Sequence, residues 1–224
     1  TSQVTDMSHM FRQADSFNQP LNNWDTGNVT NMNAMFYYNE GFNQDLDQWD
    51  TSSVTNMKHL FYEAYNFNGN ISTWNTSSVQ SLKSTFYNAS SLNQDLDQWD
   101  TSSVTDMRWT FNKANNFNGN LSGWDTSSVT NMTDMFSEAR SFNKSLNSWD
   151  TGQVEDMSGM FSQADNFDQD LDQWDTSSVK YMSWMFGYTH EFNGNISTWN
   201  TSSVTNMYGM FHTADSFNSY IGDW

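Results

Sequence analysis

One feature dominates this chain: it repeats every 25 residues. Divided at that interval from Thr1, its 224 residues fall into nine units without an insertion or deletion, the last unit one residue short. Repeat position 1 is Thr in all nine: Thr1, Thr26, Thr51, Thr76, Thr101, Thr126, Thr151, Thr176 and Thr201. Position 4 is always Val, position 11 always Phe and position 24 always Trp. Position 7 is Met except at Leu82, position 17 is Phe except at Leu92, and position 18 is Asn except at Asp168. A unit this small cannot bury an apolar face alone, so neighbouring units must stack, Val on Val and Phe on Phe. The expectation is one domain, 1–224, of nine coils: 1–25, 26–50, 51–75, 76–100, 101–125, 126–150, 151–175, 176–200 and 201–224.

Composition narrows the partners. With 17% aromatic and 15% charged residues the chain is not disordered by composition. Its formal net charge is −18, and its eight basic residues are scattered singly along the sequence. Nucleic acids and anionic membrane surfaces call for Lys/Arg patches, so neither is an expected partner. No apolar run approaches the length of a membrane span. There are no cysteines, which excludes disulfides and thiolate chemistry. No signal peptide is visible and both ends fall inside the repeat, which suggests a mature or excised piece of a longer protein.

Within a unit, positions 7, 10, 11 and 14 are apolar or small, as in Met132, Met135, Phe136 and Ala139. The spacing i, i+3, i+4, i+7 predicts a short helix over positions 6–14, with Thr130 or Asn131 able to cap it. Positions 1–5 read Thr-Ser-Ser-Val-Thr, β-branched and of period two, which predicts a strand. The expected fold is a leucine-rich-repeat-like β-solenoid, with a parallel β-sheet on one side and short helices on another. At the spacing of parallel strands, nine coils make a rod roughly 40 Å long.

The run FNQPLNNWDTGNVTNMNAMF (17–36) resembles the BspA-like leucine-rich-repeat surface proteins, a repeat family also found in mycoplasma lipoproteins and marine algae. The resemblance extends over all nine units. It departs at position 5, where Gln80, Glu155 and Lys180 replace Thr, and at position 10, where Thr85 and Thr110 replace Met. It implies a secreted or cell-surface location. Bacterial members of such a family are described as adhesins, and algal relatives are associated with ice binding.

If Val at position 4 points inward, strand alternation turns positions 3 and 5 outward, and position 1 as well if the strand reaches that far. The outer face would then read Thr-x-Ser-x-Thr down the rod. It would comprise the nine position-1 threonines, Ser53, Ser78, Ser103 and Ser128, and Thr5, Thr30, Thr55, Thr105, Thr130 and Thr205. Threonine is stiff at χ1, so such an array of hydroxyl and methyl groups is ordered in advance. Water could adopt a lattice upon it, and the function expected from this face is ice binding, with ice or ordered water as the partner. Thr is also simply a good strand residue, and a turn at Trp-Asp-Thr-Ser-Ser would make position 1 structural. The alternative function is an adhesin or interaction module for surface proteins or glycans on the same coils.

The remaining positions divide between structure and display. The position-18 Asn series is expected to form an internal ladder, each side chain satisfying a turn in the next coil. The Trp series is expected to stack in the core or at its edge, and the Met positions to fill the core. Trp109 and Trp184, at position 9, lie outside the repeat rule and are candidates for a contact surface. Asp170 and Asp172 flank Leu171 and could share a calcium ion, although the spacing lacks a full ligand set. No nucleophile elbow, phosphate loop or histidine cluster is present, so no enzyme and no cofactor are expected. Glycosylation sequons such as Asn88-Ala89-Ser90 and Asn131-Met132-Thr133 are by-products of the repeat.

Overall fold

The computed structural model describes residues 1–224. The nine units are nine coils stacked in register, each residue beside its counterpart 25 positions on. How those coils are built overturns the expected fold. There is no helix over positions 6–14 and no sheet over positions 1–5. All 102 main-chain hydrogen bonds lie in turns or between coils, none within a helix or strand. Strand-type pairing is reduced to isolated parallel bridges at position 6, from Asp6 with Asn31 through to Tyr181 with Asn206. The leucine-rich-repeat-like β-solenoid gives way to a stack of coils made of turns.

The sixth coil shows why. Along its would-be helix, alternate N–H groups leave the coil. Met132, Asp134, Phe136 and Glu138 donate to the carbonyls of Asp156, Ser158, Met160 and Ser162 in the next coil, at 2.7–3.0 Å. The residues between them, Met135, Ser137 and Ala139, donate three residues back to Met132, Asp134 and Phe136. An α-helix would direct every N–H four residues back within its own segment. Asp134 and Glu138, at positions 9 and 13, have left-handed φ of 51° and 59°, which a right-handed helix cannot contain. Positions 9 and 13 are left-handed in every coil. The would-be strand fails for a related reason. Val129 N–H donates to Thr126 O at 2.9 Å, a four-residue turn that cancels the alternation of faces.

Packing across the coils supplies the stability. Fifty-five buried residues form one apolar cluster along the stack. Phe61, Phe86 and Phe111 stack at 5.8 and 5.5 Å. Trp49, Trp74 and Trp99 stack at 6.2 and 6.0 Å with planes within 9° of parallel. Full burial of such a side chain contributes about 1.5–3 kcal/mol. Each buried indole N–H also has a partner, as Trp124 Nε1 donates to Leu96 O at 2.8 Å. The expected Asn ladder exists, but on the surface. Asn118 N–H donates to Asn93 Oδ1, and Asn143 N–H to Asn118 Oδ1, both at 3.0 Å. Asp168 offers the same acceptor, to Asn193 N–H at 2.8 Å, so the one exception in this series keeps the bond.

Candidate functional site

The structure separates the threonines that the strand reading had combined. At position 1, Thr26, Thr51, Thr76, Thr101, Thr126, Thr151 and Thr176 are buried, each no more than 1% exposed. Their hydroxyls donate across the coil junction, as from Thr126 Oγ1 to Asp150 O at 2.8 Å. Thr1 makes the same bond from the exposed first coil, and Thr201 is half-buried in the last. Position 1 is therefore not part of an outward face, because the turn over positions 1–4 draws its side chain into the junction. Ser53, Ser78 and Ser103 donate to carbonyls of the preceding coil at 2.8–2.9 Å, and Ser128 is half-buried. Ser103 and Thr1 are exposed as expected, but only position 5 is exposed at every predicted residue. Thr5, Thr30, Thr55, Thr105, Thr130 and Thr205 all face solvent.

Another face, of which the sequence reading singles out only Trp109 and Trp184, gathers much of the distinctive chemistry. Positions 8, 9, 12 and 13 are among the least regular of the repeat. They hold Tyr37, Tyr38, Tyr62, Tyr87, Tyr188 and Tyr208, six of the nine tyrosines, together with Trp109 and Trp184. They also hold Arg12, Lys58, Lys83, Arg108 and Lys113, five of the eight basic residues. Residues scattered in sequence become neighbours once the coils stack. Tyr37, Tyr62 and Tyr87 stack at 4.6 and 4.4 Å, and Lys83 Nζ lies 5.1 Å from the Trp109 ring centre. The signal was present as irregularity: four of the positions that break the repeat share this face.

This face carries a groove of about 560 Å³ over the second to sixth coils, lined by residues including Tyr37, His59, Tyr62, Tyr87, Trp109, Asn112 and Asp134. It opens where large side chains give way to small ones. Ser84 stands between His59 and Trp109 at position 9, and Asn112 follows the tyrosines at position 12. Trp109 Nε1 donates to Asp134 Oδ2 at 3.1 Å. Gly159 makes room for that carboxylate, since a Cβ there would meet Asp134 Oδ1 at 1.9 Å. Burial raises the Asp134 pKa and lowers that of His59, the latter helped by Lys83 and Lys58. Burial and the neighbouring phenols raise the Tyr62 pKa.

Trp184 stands apart from the groove. Its ring lies over Gly209, whose Cβ would approach it to 2.9 Å. It is parallel to Tyr188 at 5.9 Å and meets the edges of Tyr208 and His212 at 5.4 and 5.3 Å. The carboxylates proposed for calcium are engaged by protein. Asp170 Oδ1 accepts from Asn195 N–H at 2.8 Å, and Asp172 Oδ1 accepts from Asn147 Nδ2 at 2.8 Å. No group of three or more His, Asp or Glu converges on a common point.

A rod of tandem coils whose one irregular face gathers aromatic and basic side chains is the class of molecule defined here. The chain belongs to the family described as "Mycoplasma protein of unknown function, DUF285", whose model matches residues 1–99, 80–180 and 164–224. No curated protein and no solved structure matches the chain.

Proposed function

We propose that this chain is a recognition rod of a secreted or cell-surface protein, binding its partner through the face formed by positions 8, 9, 12 and 13. The left-handed backbone of positions 9 and 13 carries the argument. For L-residues this conformation costs roughly 1–2 kcal/mol, and glycine relieves the cost. Yet 16 non-glycine residues occupy these positions, Trp109, Trp184, Tyr38 and Tyr188 among them, against only Gly159 and Gly209. Large aromatic side chains carried at that cost support a reading in which they are presented for contact. The expected result is that beads coated with the protein adhere to immobilised extracellular-matrix proteins or glycans. Joint replacement of Trp109, Trp184 and Tyr38 by Ser should reduce adhesion at least ~10-fold, the effect of removing contact hot spots. Lys144→Ala, at exposed position 19, should leave it unchanged. Equal adhesion by both variants, or none by the parent, would refute this reading.

A second reading, ice binding, is favoured by one observation. Thr30, Thr55, Thr105, Thr130 and Thr205 form an exposed row whose hydroxyls reach back to the preceding coil at 3.1–3.5 Å. That contact fixes the side chains and leaves a regular file of methyl groups. The row is interrupted by Gln80 and by the paired Glu155 and Lys180, 2.8 Å apart. On this reading the parent shows thermal hysteresis and faceted ice crystals. Thr105→Tyr and Thr130→Tyr abolish both while circular dichroism stays the same. A parent without effect on freezing removes the reading.

A further inference from the structure

The groove beside Trp109 is built to take a particular chemistry. Its floor holds two buried polar atoms without a hydrogen-bond partner, His59 Nδ1 and Asn112 Oδ1. Such atoms are rare, because a buried polar group left unpaired loses its hydration with nothing in its place. Asn112 is anchored at its other end, where Nδ2 donates to Asp134 O at 3.3 Å, and this leaves its carbonyl oxygen free. Both residues line the groove, so a ligand hydroxyl is the partner these atoms lack.

Two aromatic platforms lie beside these atoms. The tyrosine stack ends at Tyr87, because the next coil places Asn112 at that position, and beyond the ring lies only the Lys113 ammonium, 5.8 Å from its centre. Trp109 is held by its bond to Asp134, with Lys83 and Arg108 5.1 and 5.9 Å from its ring centre. The charges lining the groove balance: Lys83 and Lys113 against Asp134 and Glu138, with Lys113 and Glu138 paired at 3.7 Å. A ligand of either charge gains little from such a lining. The groove crosses four coil junctions, about 19 Å at the spacing of paired backbones, longer than a single sugar ring.

We propose that the groove binds an uncharged oligosaccharide. Sugar C–H faces lie on Tyr87 and Trp109, and hydroxyls pair with Asn112 Oδ1 and His59 Nδ1. Rigid aromatic surface beside a few convergent polar groups is the general design of a small-ligand site. The proposal rests on the recognition reading above and names its ligand class.

The test is isothermal titration of the full chain with neutral linear hexasaccharides of glucose, xylose, mannose and N-acetylglucosamine. Sulfated and uronic-acid oligosaccharides form the charged arm. The expected result is saturable binding of at least one neutral chain. Trp109→Ala and Asn112→Ala should each weaken it at least ~10-fold, the loss expected at a central contact, while Lys144→Ala does not. Far-UV circular dichroism and melting establish that the variants fold, and Asn112→Asp serves as a milder second change. Failure to bind any neutral chain, binding of charged chains alone, or unchanged binding by Trp109→Ala and Asn112→Ala overturns the proposal. Adhesion that still depends on this face would then show that the ligand class was wrong and the recognition surface right.

Discussion

Gly119→Ala should destabilise the protein by about 3–5 kcal/mol and split its unfolding into two transitions. The cause is a backbone contact. A Cβ on Gly119 would lie 2.0 Å from the carbonyl oxygen of Gln94 in the preceding coil and 3.0 Å from the Phe117 ring. Neither neighbour is the free end of a flexible side chain, so the coils themselves must separate. Three bonds secure this junction nearby: Leu96 N–H to Asn120 O at 3.0 Å, Asn120 N–H to Asp95 Oδ1 at 2.8 Å and Asn118 N–H to Asn93 Oδ1 at 3.0 Å. Overpacking costs about 1–3 kcal/mol, and loss of two of these bonds adds about 2 kcal/mol. In a stack where each coil touches only its neighbours, one weakened central junction uncouples the halves. Urea denaturation followed by circular dichroism and tryptophan fluorescence reads both effects. Gly152→Ala is the control, since its Cβ would come no nearer than 3.3 Å, to an Asp150 carboxylate oxygen, a flexible side-chain end. Identical unfolding of the Gly119→Ala protein and its parent would mean that the coils are not in this register.

The limits of the sequence reading follow from the same geometry. Coil number, register, the buried Val, Met, Phe and Trp series and the Asn ladder all depend only on stacking like upon like, which a 25-residue period displays directly. The period does not distinguish a helix from this coil, because consecutive four-residue turns also bring positions 7, 10, 11 and 14 to one side. The distinguishing feature is the left-handed backbone at positions 9 and 13. Glycine would have announced it, but only Gly159 and Gly209 do so among 18 such residues. The groove was hidden for a different reason. Tyr87, Trp109 and Asn112 come from two repeat positions, 12 and 9, and two coils, the fourth and fifth, and irregular positions carry no period to follow. Trp109 and Trp184 were noticed as exceptions, but their partners Asp134, Lys83 and Gly209 could be assigned only once the coils were stacked.

Thr126→Val and Thr130→Val should differ in cost although they make the same change four residues apart. The substitution keeps the shape of the side chain and removes only the hydroxyl. At Thr126 that hydroxyl is buried and donates to Asp150 O at 2.8 Å. Its loss leaves a carbonyl at the coil junction without this partner, which costs about 1–3 kcal/mol. At Thr130 the hydroxyl is exposed and reaches Thr105 O at 3.3 Å. Water can take its place there, so the change should stay within about 0.5 kcal/mol, as is usual on a surface. Thermal melts of the two proteins under one condition decide the matter. A large loss at Thr126 alone means that the position-1 threonines recur because every junction needs a buried hydroxyl. They would then be elements of assembly, and any surface role would fall to the separate row at position 5. Equal and small losses would put position 1 back in contact with water and remove the distinction between the two rows.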